Sequence, residues 1–186
     1  IDLLLLHRPN PDIPIDESLR ALDDLVTSGK VRYIGTSGFK AWQLMEALWC
    51  ARELGLNRFS CESSAYSLLC RRPEDELLPM LRTYGVGMTA YSPLGAGVLT
   101  DRYNRQNPPD HVDLSEAEWR VVETVQDMAR DKGCTTSQLA LAWVAAQPGV
   151  TSAIAGPRTL EQLEDNLGAT DVEFTEDELA RLDEVA

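Results

Sequence analysis

Short apolar stretches alternate with amphipathic helical patterns along this chain, and the connections between them are mostly short. Strands are predicted around the four leucines at positions 3–6 and at residues 31–35, 58–64, 86–91 and 150–155. Helices are predicted at residues 15–28, 41–54 and 73–84, and after the capping residues Ser115, Thr135, Thr159 and Thr175. Regular alternation of strand and helix predicts a parallel sheet with right-handed crossovers, and therefore an α/β fold.

Two α/β architectures have this alternation, an open doubly wound sheet and a barrel. An open dinucleotide-binding sheet carries Gly-x-Gly-x-x-Gly after its first strand, but here His7, Arg8 and Pro9 follow that strand. Gly95 and Gly97 follow the fourth strand, without the third glycine. The pattern therefore favours a (β/α)8 TIM-type barrel, of which about five β/α units are present in a single domain over residues 1–186. Three further units are expected ahead of Ile1.

The four leucines at positions 3–6 predict a strand buried on both faces, as in parallel sheets covered by helices. His7 follows this strand directly. Ionisable side chains at the carboxyl ends of such strands often carry the chemistry of α/β enzymes. A core histidine bonded to the backbone fits this stretch alone equally well.

The charge balance limits the classes of partner. Thirty acidic and seventeen basic residues give a net charge of −13, which predicts no binding to nucleic acid or to an anionic membrane surface. No apolar run has membrane-spanning length, and no basic-then-apolar leader is present. The four cysteines are scattered, which predicts small buried thiols in a reducing cytoplasm rather than disulfides or a zinc site.

The residues at the predicted strand ends are mostly hydroxyls and glycines. They contain no cluster of carboxylates or histidines, so no metal site is expected. Gly156, Arg158 and Thr159 could form an anion site at a helix N-terminus, or only a capping loop with a solvent-facing arginine. Tyr91 could stack on a flat ligand, or be a core tyrosine.

Five stretches together resemble the aldo-keto reductase superfamily over essentially the whole chain. They are IDLLLLHRP at residues 1–9, GKVRYIGTS at 29–37, AYSPLG at 90–95, IAGPR at 154–158 and EQLEDN at 161–166. The resemblance implies a (β/α)8 barrel that binds NADPH and reduces a small-molecule aldehyde or ketone. It also implies that the loop at residues 100–113 folds over the cofactor.

The resemblance assigns a role to nine residues. His7 matches the catalytic histidine that orients the substrate carbonyl, Ser37 the hydroxyl that binds the nicotinamide carboxamide, and Tyr91 the ring that stacks on the nicotinamide. Ser92 and Leu94 match contacts on the pyrophosphate side. The residues that match the segment around the adenosine and its 2′-phosphate are Gly156, Arg158, Gln162 and Asn166, with Arg158 the basis of NADP preference.

The chain departs from the family pattern at two cofactor contacts. Gly38 stands where the family usually has asparagine, and Ser63 stands where it usually has glutamine. Losing both carboxamides would weaken cofactor binding by about tenfold or somewhat more. The family's catalytic tyrosine, lysine and aspartate lie on segments upstream of its histidine strand, so the 186 residues alone are expected to give no turnover. The alternative is a cofactor-binding regulatory barrel, like the potassium-channel β subunits.

Overall fold

The computed structural model describes all residues from Ile1 to Ala186. Its strands are β1 Leu3–Leu6, β2 Tyr33–Ser37, β3 Cys61–Ala65, β4 Gly87–Tyr91 and β5 Val150–Ile154. Its helices are α1 Ile15–Thr27, α2 Ala41–Leu54, α3 Leu77–Tyr84, α4 Glu116–Lys132, α5 Thr136–Ala146, α6 Leu160–Leu167 and α7 Glu176–Val185. The predicted alternation of strands and helices is confirmed. None of the helices combines the length and the apolar character needed to cross a bilayer.

The chain is organised as two compact units. The first unit comprises Ile1–Ser64 and Pro73–Thr89, and the second comprises Ala65–Arg72 and Ala90–Ala186. The first therefore contains β1, β2, nearly all of β3 and α1 to α3, whereas the second contains β5 and α4 to α7. The single domain predicted over residues 1–186 stays a prediction.

Parallel strands form the centre of the first unit. β1 pairs with β2 so that Leu6 lies opposite Thr36, and β2 pairs with β3 so that Ser37 lies opposite Ser63. Helix α1 packs against α2. The largest fully buried side chains of this unit are Leu19, Ile34, Leu44, Phe59, Leu81 and Met88, each at most 1% exposed. This packing fixes the positions of the carboxyl ends of β1 and β2, where His7 and Ser37 lie.

The prediction that the first strand is buried on both faces is wrong. Leu3 is 37% exposed, and the other three leucines of β1 are only half-buried. The reason is the position of β1 at the edge of the sheet, where it pairs with β2 alone. An apolar run shows that a strand can be buried, but its neighbours decide whether it is.

Two predicted element bounds shift for local reasons. The second strand begins at Tyr33 rather than residue 31, because the Val31 N–H donates to Leu25 O at the end of α1. The third helix begins at Leu77 rather than residue 73. Proline is tolerated in the first turn of a helix but not in its interior, and Pro79 lies in that first turn.

Helix α5 lies at the centre of the second unit and contacts both α4 and α6. Trp143 on this helix is fully buried and stacks on Tyr66, with ring centroids 5.4 Å apart. The predicted caps Ser115, Thr135 and Thr175 each form a reciprocal capping box with the residue three positions on. These hydrogen bonds satisfy backbone donors that a helix N-terminus leaves free.

Candidate functional site

His7 and Ser37 lie at the carboxyl ends of two neighbouring parallel strands. Because Leu6 pairs with Thr36, the next residues along the two strands are His7 and Ser37. His7 is exposed, which excludes the core histidine that the sequence left open, and Ser37 is half-buried. The first unit thus brings two of the predicted site residues to the same edge of its sheet, where α/β enzymes hold their ligands.

The turn after β2 contains the first departure from the family pattern. Gly38 has a φ of +69°, in the left-handed region, and its N–H donates to Ser63 O at 3.0 Å. A Cβ placed on Gly38 would meet no atom within 4 Å. Asparagine tolerates this backbone conformation better than most residues. The space around Gly38 therefore gives no steric reason for the loss of the family's amide side chain.

Glu62 is a candidate that the sequence analysis did not identify. Its side chain is fully buried in β3, where one carboxyl oxygen accepts from the Thr36 hydroxyl and the other accepts from the Phe39 N–H at 3.1 Å. Burial raises the pKa of this carboxyl to about 7, while the hydrogen bonds from Thr36, Phe39 and Gly38 act to lower it. Strongly shifted pKa values cluster at functional sites, which makes Glu62 a candidate.

A signal for Glu62 was present in the sequence. It is the one acidic residue inside the predicted strand at residues 58–64, and acidic side chains are almost never fully buried unless they are paired. If this strand is buried, a charged residue within it needs a hydrogen-bonding partner. The identity of that partner, Thr36 on the neighbouring strand, depends on register and could not be predicted from the pattern alone.

In the second unit, Tyr91 ends β4 and is followed by a tightly turned loop. The Tyr91 side chain is 39% exposed, which excludes the core tyrosine. Ser92 and Ala96 have φ values of +55° and +56°, and they are the non-glycine residues with positive φ in the chain. Such conformations cost of order 1–3 kcal/mol each and cluster at ligand-binding loops. The Leu99 N–H closes this loop by donating to Leu94 O at 3.0 Å.

A cavity of about 350 Å³ lies within the second unit beside this loop. Its walls include Ser92 and Ala96 from the loop after β4, together with His111 and Val112 from the loop at residues 100–113. Cavities of this order accommodate small molecules or parts of larger ones. The loop at residues 100–113, which is predicted to fold over a cofactor, therefore lines the same cavity as Ser92, which is predicted to contact that cofactor.

The last four predicted residues follow β5. Gly156 and Arg158 are exposed in the turn, and Gln162 and Asn166 lie on α6. Thr159 accepts from the Gln162 N–H at 3.2 Å, while Gln162 Oε1 accepts from the Arg158 N–H at 2.8 Å. The turn is thus a capping loop that also presents an exposed guanidinium. This geometry is compatible with an anion site and with a capping loop alone.

Each predicted site residue therefore lies at or after a strand end, in one unit or the other. The first unit holds His7 and Ser37, and the second holds the remaining seven. No group of three or more His, Cys, Asp or Glu side chains is arranged to hold a metal ion. All four cysteines are free thiols.

Comparison with known proteins identifies the family. The model of the "Aldo/keto reductase family" matches residues 1–186, the whole chain. The chain belongs to the aldo/keto reductase family. It is 35% identical over 189 residues to the "Uncharacterized oxidoreductase YrpG" of Bacillus subtilis. It is 34% identical over 186 residues to the "Probable voltage-gated potassium channel subunit beta" of Arabidopsis thaliana.

The family's fold is supported by a solved structure. The crystal structure of the thermostable aldo-keto reductase Tm1743, in complex with the inhibitor epalrestat, aligns with this chain at a TM-score of 0.83 and 33% identity. The alignment covers all of this chain and 60% of Tm1743. The predicted fold class, an α/β fold with about five β/α units of a TIM-type barrel, is confirmed. The chain likewise spans 58% of YrpG and 57% of the Arabidopsis protein.

Proposed function

We propose that the protein is an NADP-dependent oxidoreductase that reduces aldehydes or ketones by hydride transfer from NADPH. The observation that carries the proposal is the exposed His7 beside Ser37, at the carboxyl ends of paired strands, in a chain that matches the aldo/keto reductase family throughout. The expected partner is a small-molecule carbonyl compound. The net charge of −13 supports the absence of nucleic-acid binding.

The residues present fit such a cofactor. Ser37 has a half-buried hydroxyl that would donate to or accept from the nicotinamide carboxamide, and Tyr91 has a partly exposed ring that would stack on the nicotinamide. Arg158 has an exposed guanidinium that would pair with the 2′-phosphate and so favour NADP over NAD. Ser92 and Leu94 belong to the closed loop after β4, where the pyrophosphate would bind, and Gly156, Gln162 and Asn166 would surround the adenosine.

The cofactor supplies the hydride, and this chain supplies orientation and charge stabilisation. His7 would hydrogen-bond to the carbonyl oxygen and hold the carbonyl carbon toward the nicotinamide. A proton must also reach that oxygen, and none of the tyrosines of this chain matches the family's tyrosine acid. We therefore expect the 186-residue polypeptide alone to give no turnover. We also propose that the reaction takes place in the cytoplasm.

A second candidate is a regulatory barrel that binds NADPH with little or no catalysis. Two observations favour it, the 34% identity to the plant protein named as a potassium channel β subunit and the replacement of two family carboxamides by Gly38 and Ser63. Both candidates predict NADPH binding. They differ in whether a bound carbonyl compound is reduced.

The discriminating experiment measures both properties in the protein at its full encoded length. We expect it to bind NADPH and to oxidise it in the presence of 4-nitrobenzaldehyde, observed as loss of nicotinamide absorbance. His7→Ala should lower kcat by about a hundredfold and leave the dissociation constant of NADPH unchanged, because the imidazole contacts the substrate rather than the cofactor. Binding without turnover would favour the regulatory barrel, and no NADPH binding would refute both candidates.

A further inference from the structure

The turn that follows β2 is held by a buried carboxyl group. We propose that Glu62 is a positioning residue, which fixes residues 36–39 and thereby holds the Ser37 hydroxyl where a nicotinamide carboxamide would bind. This inference rests on the proposed function, because it concerns the same cofactor site.

The two carboxyl oxygens of Glu62 bind opposite ends of this turn. Oε2 accepts from the hydroxyl of Thr36, the residue before Ser37. Oε1 accepts from the backbone N–H of Phe39, two residues after Ser37, at 3.1 Å. A third hydrogen bond joins the Gly38 N–H to Ser63 O at 3.0 Å. Ser37 and Gly38 therefore lie between two points fixed by one side chain.

A purely space-filling role does not account for a carboxyl at this position. Thr36 and Glu62 are both fully buried, and no lysine or arginine forms an ion pair with Glu62. Burial of a carboxyl without a cation is unfavourable unless hydrogen bonds offset it. Here those hydrogen bonds all come from the segment that carries Ser37, so the free energy that they contribute also orders that segment.

Apart from Glu62, the turn is held by the Gly38 N–H to Ser63 O hydrogen bond and by the buried Phe39 side chain, whose ring centroid lies 6.3 Å from that of Phe59. A side chain at Gly38 would contact no atom within 4 Å, so the turn gains no packing there, and its left-handed backbone leaves alternative conformations open to glycine. Gly38 and Ser63 also lack the carboxamides that the family uses. The orientation of the Ser37 hydroxyl consequently carries more of the binding at the nicotinamide end than it would with asparagine and glutamine present.

The test compares two ligands that share the adenosine end but differ at the nicotinamide end. NADPH and adenosine 2′,5′-bisphosphate are titrated by calorimetry into the full-length protein and its Glu62→Ala, Glu62→Gln and Thr36→Val variants. We expect Glu62→Ala to weaken NADPH binding by about tenfold, and Thr36→Val by about threefold. Glu62→Gln keeps an acceptor for the Phe39 N–H and a partner for Thr36, so it should restore binding to within about threefold of wild type.

Binding of adenosine 2′,5′-bisphosphate should stay unchanged in all three variants, because the bisphosphate lacks the nicotinamide. An exposed control, Glu53→Gln on α2, should change neither ligand. Equal weakening of both ligands would show a merely structural role and overturn the inference, as would unchanged NADPH binding in Glu62→Ala and Thr36→Val. If wild type binds neither ligand, the proposed function itself fails. Should Glu62→Ala not fold, Thr36→Val carries the test alone.

Discussion

Gly38 offers a direct test of the nicotinamide end of the site at the scale of one residue. Gly38→Asn would restore the side-chain amide found in the family, at a backbone conformation that asparagine tolerates and in open space. One added hydrogen bond should tighten NADPH binding by roughly three- to tenfold, as measured by quenching of protein fluorescence.

Gly29 provides the matched control for that substitution. It has a φ of +73°, and its Cβ would also meet no atom within 4 Å, but it lies at the end of α1 rather than at the site. Gly29→Asn should leave NADPH affinity unchanged. Equal effects of the two substitutions, or no effect of Gly38→Asn, would contradict the placement of the nicotinamide beside this turn.

The buried carboxyl of Glu62 should also give stability a specific dependence on pH. Its pKa is raised from 4.5 to about 7 in the folded protein, so unfolding releases a proton between these values. The free energy of unfolding contributed by this group therefore falls by roughly 3 kcal/mol as pH rises through that window, and then levels off. Glu62→Gln cannot titrate and should lack this fall.

Urea unfolding of wild type and Glu62→Gln at about pH 5 and about pH 8 measures the effect. The stability of wild type relative to Glu62→Gln should be lower at the higher pH. Comparing the two proteins removes the contributions of Glu116, Glu118 and Glu178, whose pKa values are lowered and which act in the opposite direction. The same relative stability at both pH values would contradict the burial of a titrating carboxyl.

The sequence predicted which residues lie at the candidate site better than it predicted their hydrogen bonds and backbone angles. His7 and Ser37 could be placed at neighbouring strand ends because the order of strands along a βα sequence is regular. The hydrogen bond between Thr36 and Glu62 could not be predicted, because these residues are 26 positions apart and meet only through the register of β2 and β3. The positive φ of Ser92 could not be predicted either, because the loop imposes this conformation and serine has no preference for it.

At the scale of elements, the helix starts that carry a serine or threonine cap were more predictable than the start of α3, which lies four residues after the predicted position. Serine or threonine followed three residues later by glutamate or glutamine is a local signal, and it forms a reciprocal cap at Ser115, Thr135 and Thr175. At Thr159 the cap is one-way, because Gln162 turns its side-chain oxygen to the Arg158 N–H instead. Strand burial was less predictable, as β1 shows, because it depends on which strands pair.

The cap of α4 gives a prediction at this scale. Ser115 accepts from the Glu118 N–H at 3.3 Å, and Glu118 accepts from the Ser115 N–H at 2.8 Å. Ser115→Ala should lower the free energy of unfolding by about 1 kcal/mol, whereas Ser115→Asn, an equally good cap, should cost only a few tenths. Urea denaturation followed by circular dichroism checks both values. Equal stability of the alanine and asparagine variants would contradict a working cap.

At the scale of the whole molecule, the family match is the broadest observation. The family match covers every residue of the chain, and the chain covers about three fifths of Tm1743. Large apolar side chains are exposed on α6, where Leu160 is 69% and Leu167 60% exposed. Contiguous exposed apolar patches mark interaction surfaces, ligand grooves or aggregation-prone regions. Activity is therefore best measured in the protein at its full encoded length.

The proposed reaction is transfer of a hydride from NADPH to a carbonyl carbon. The most direct measurement supplies the full-length protein with NADPH deuterated at the transferring C4 position, together with 4-nitrobenzaldehyde, and detects the alcohol by mass spectrometry. We predict that wild type yields alcohol carrying deuterium at the former carbonyl carbon and that His7→Ala yields about a hundredfold less. Cofactor binding with no labelled alcohol from wild type would contradict the proposed reaction.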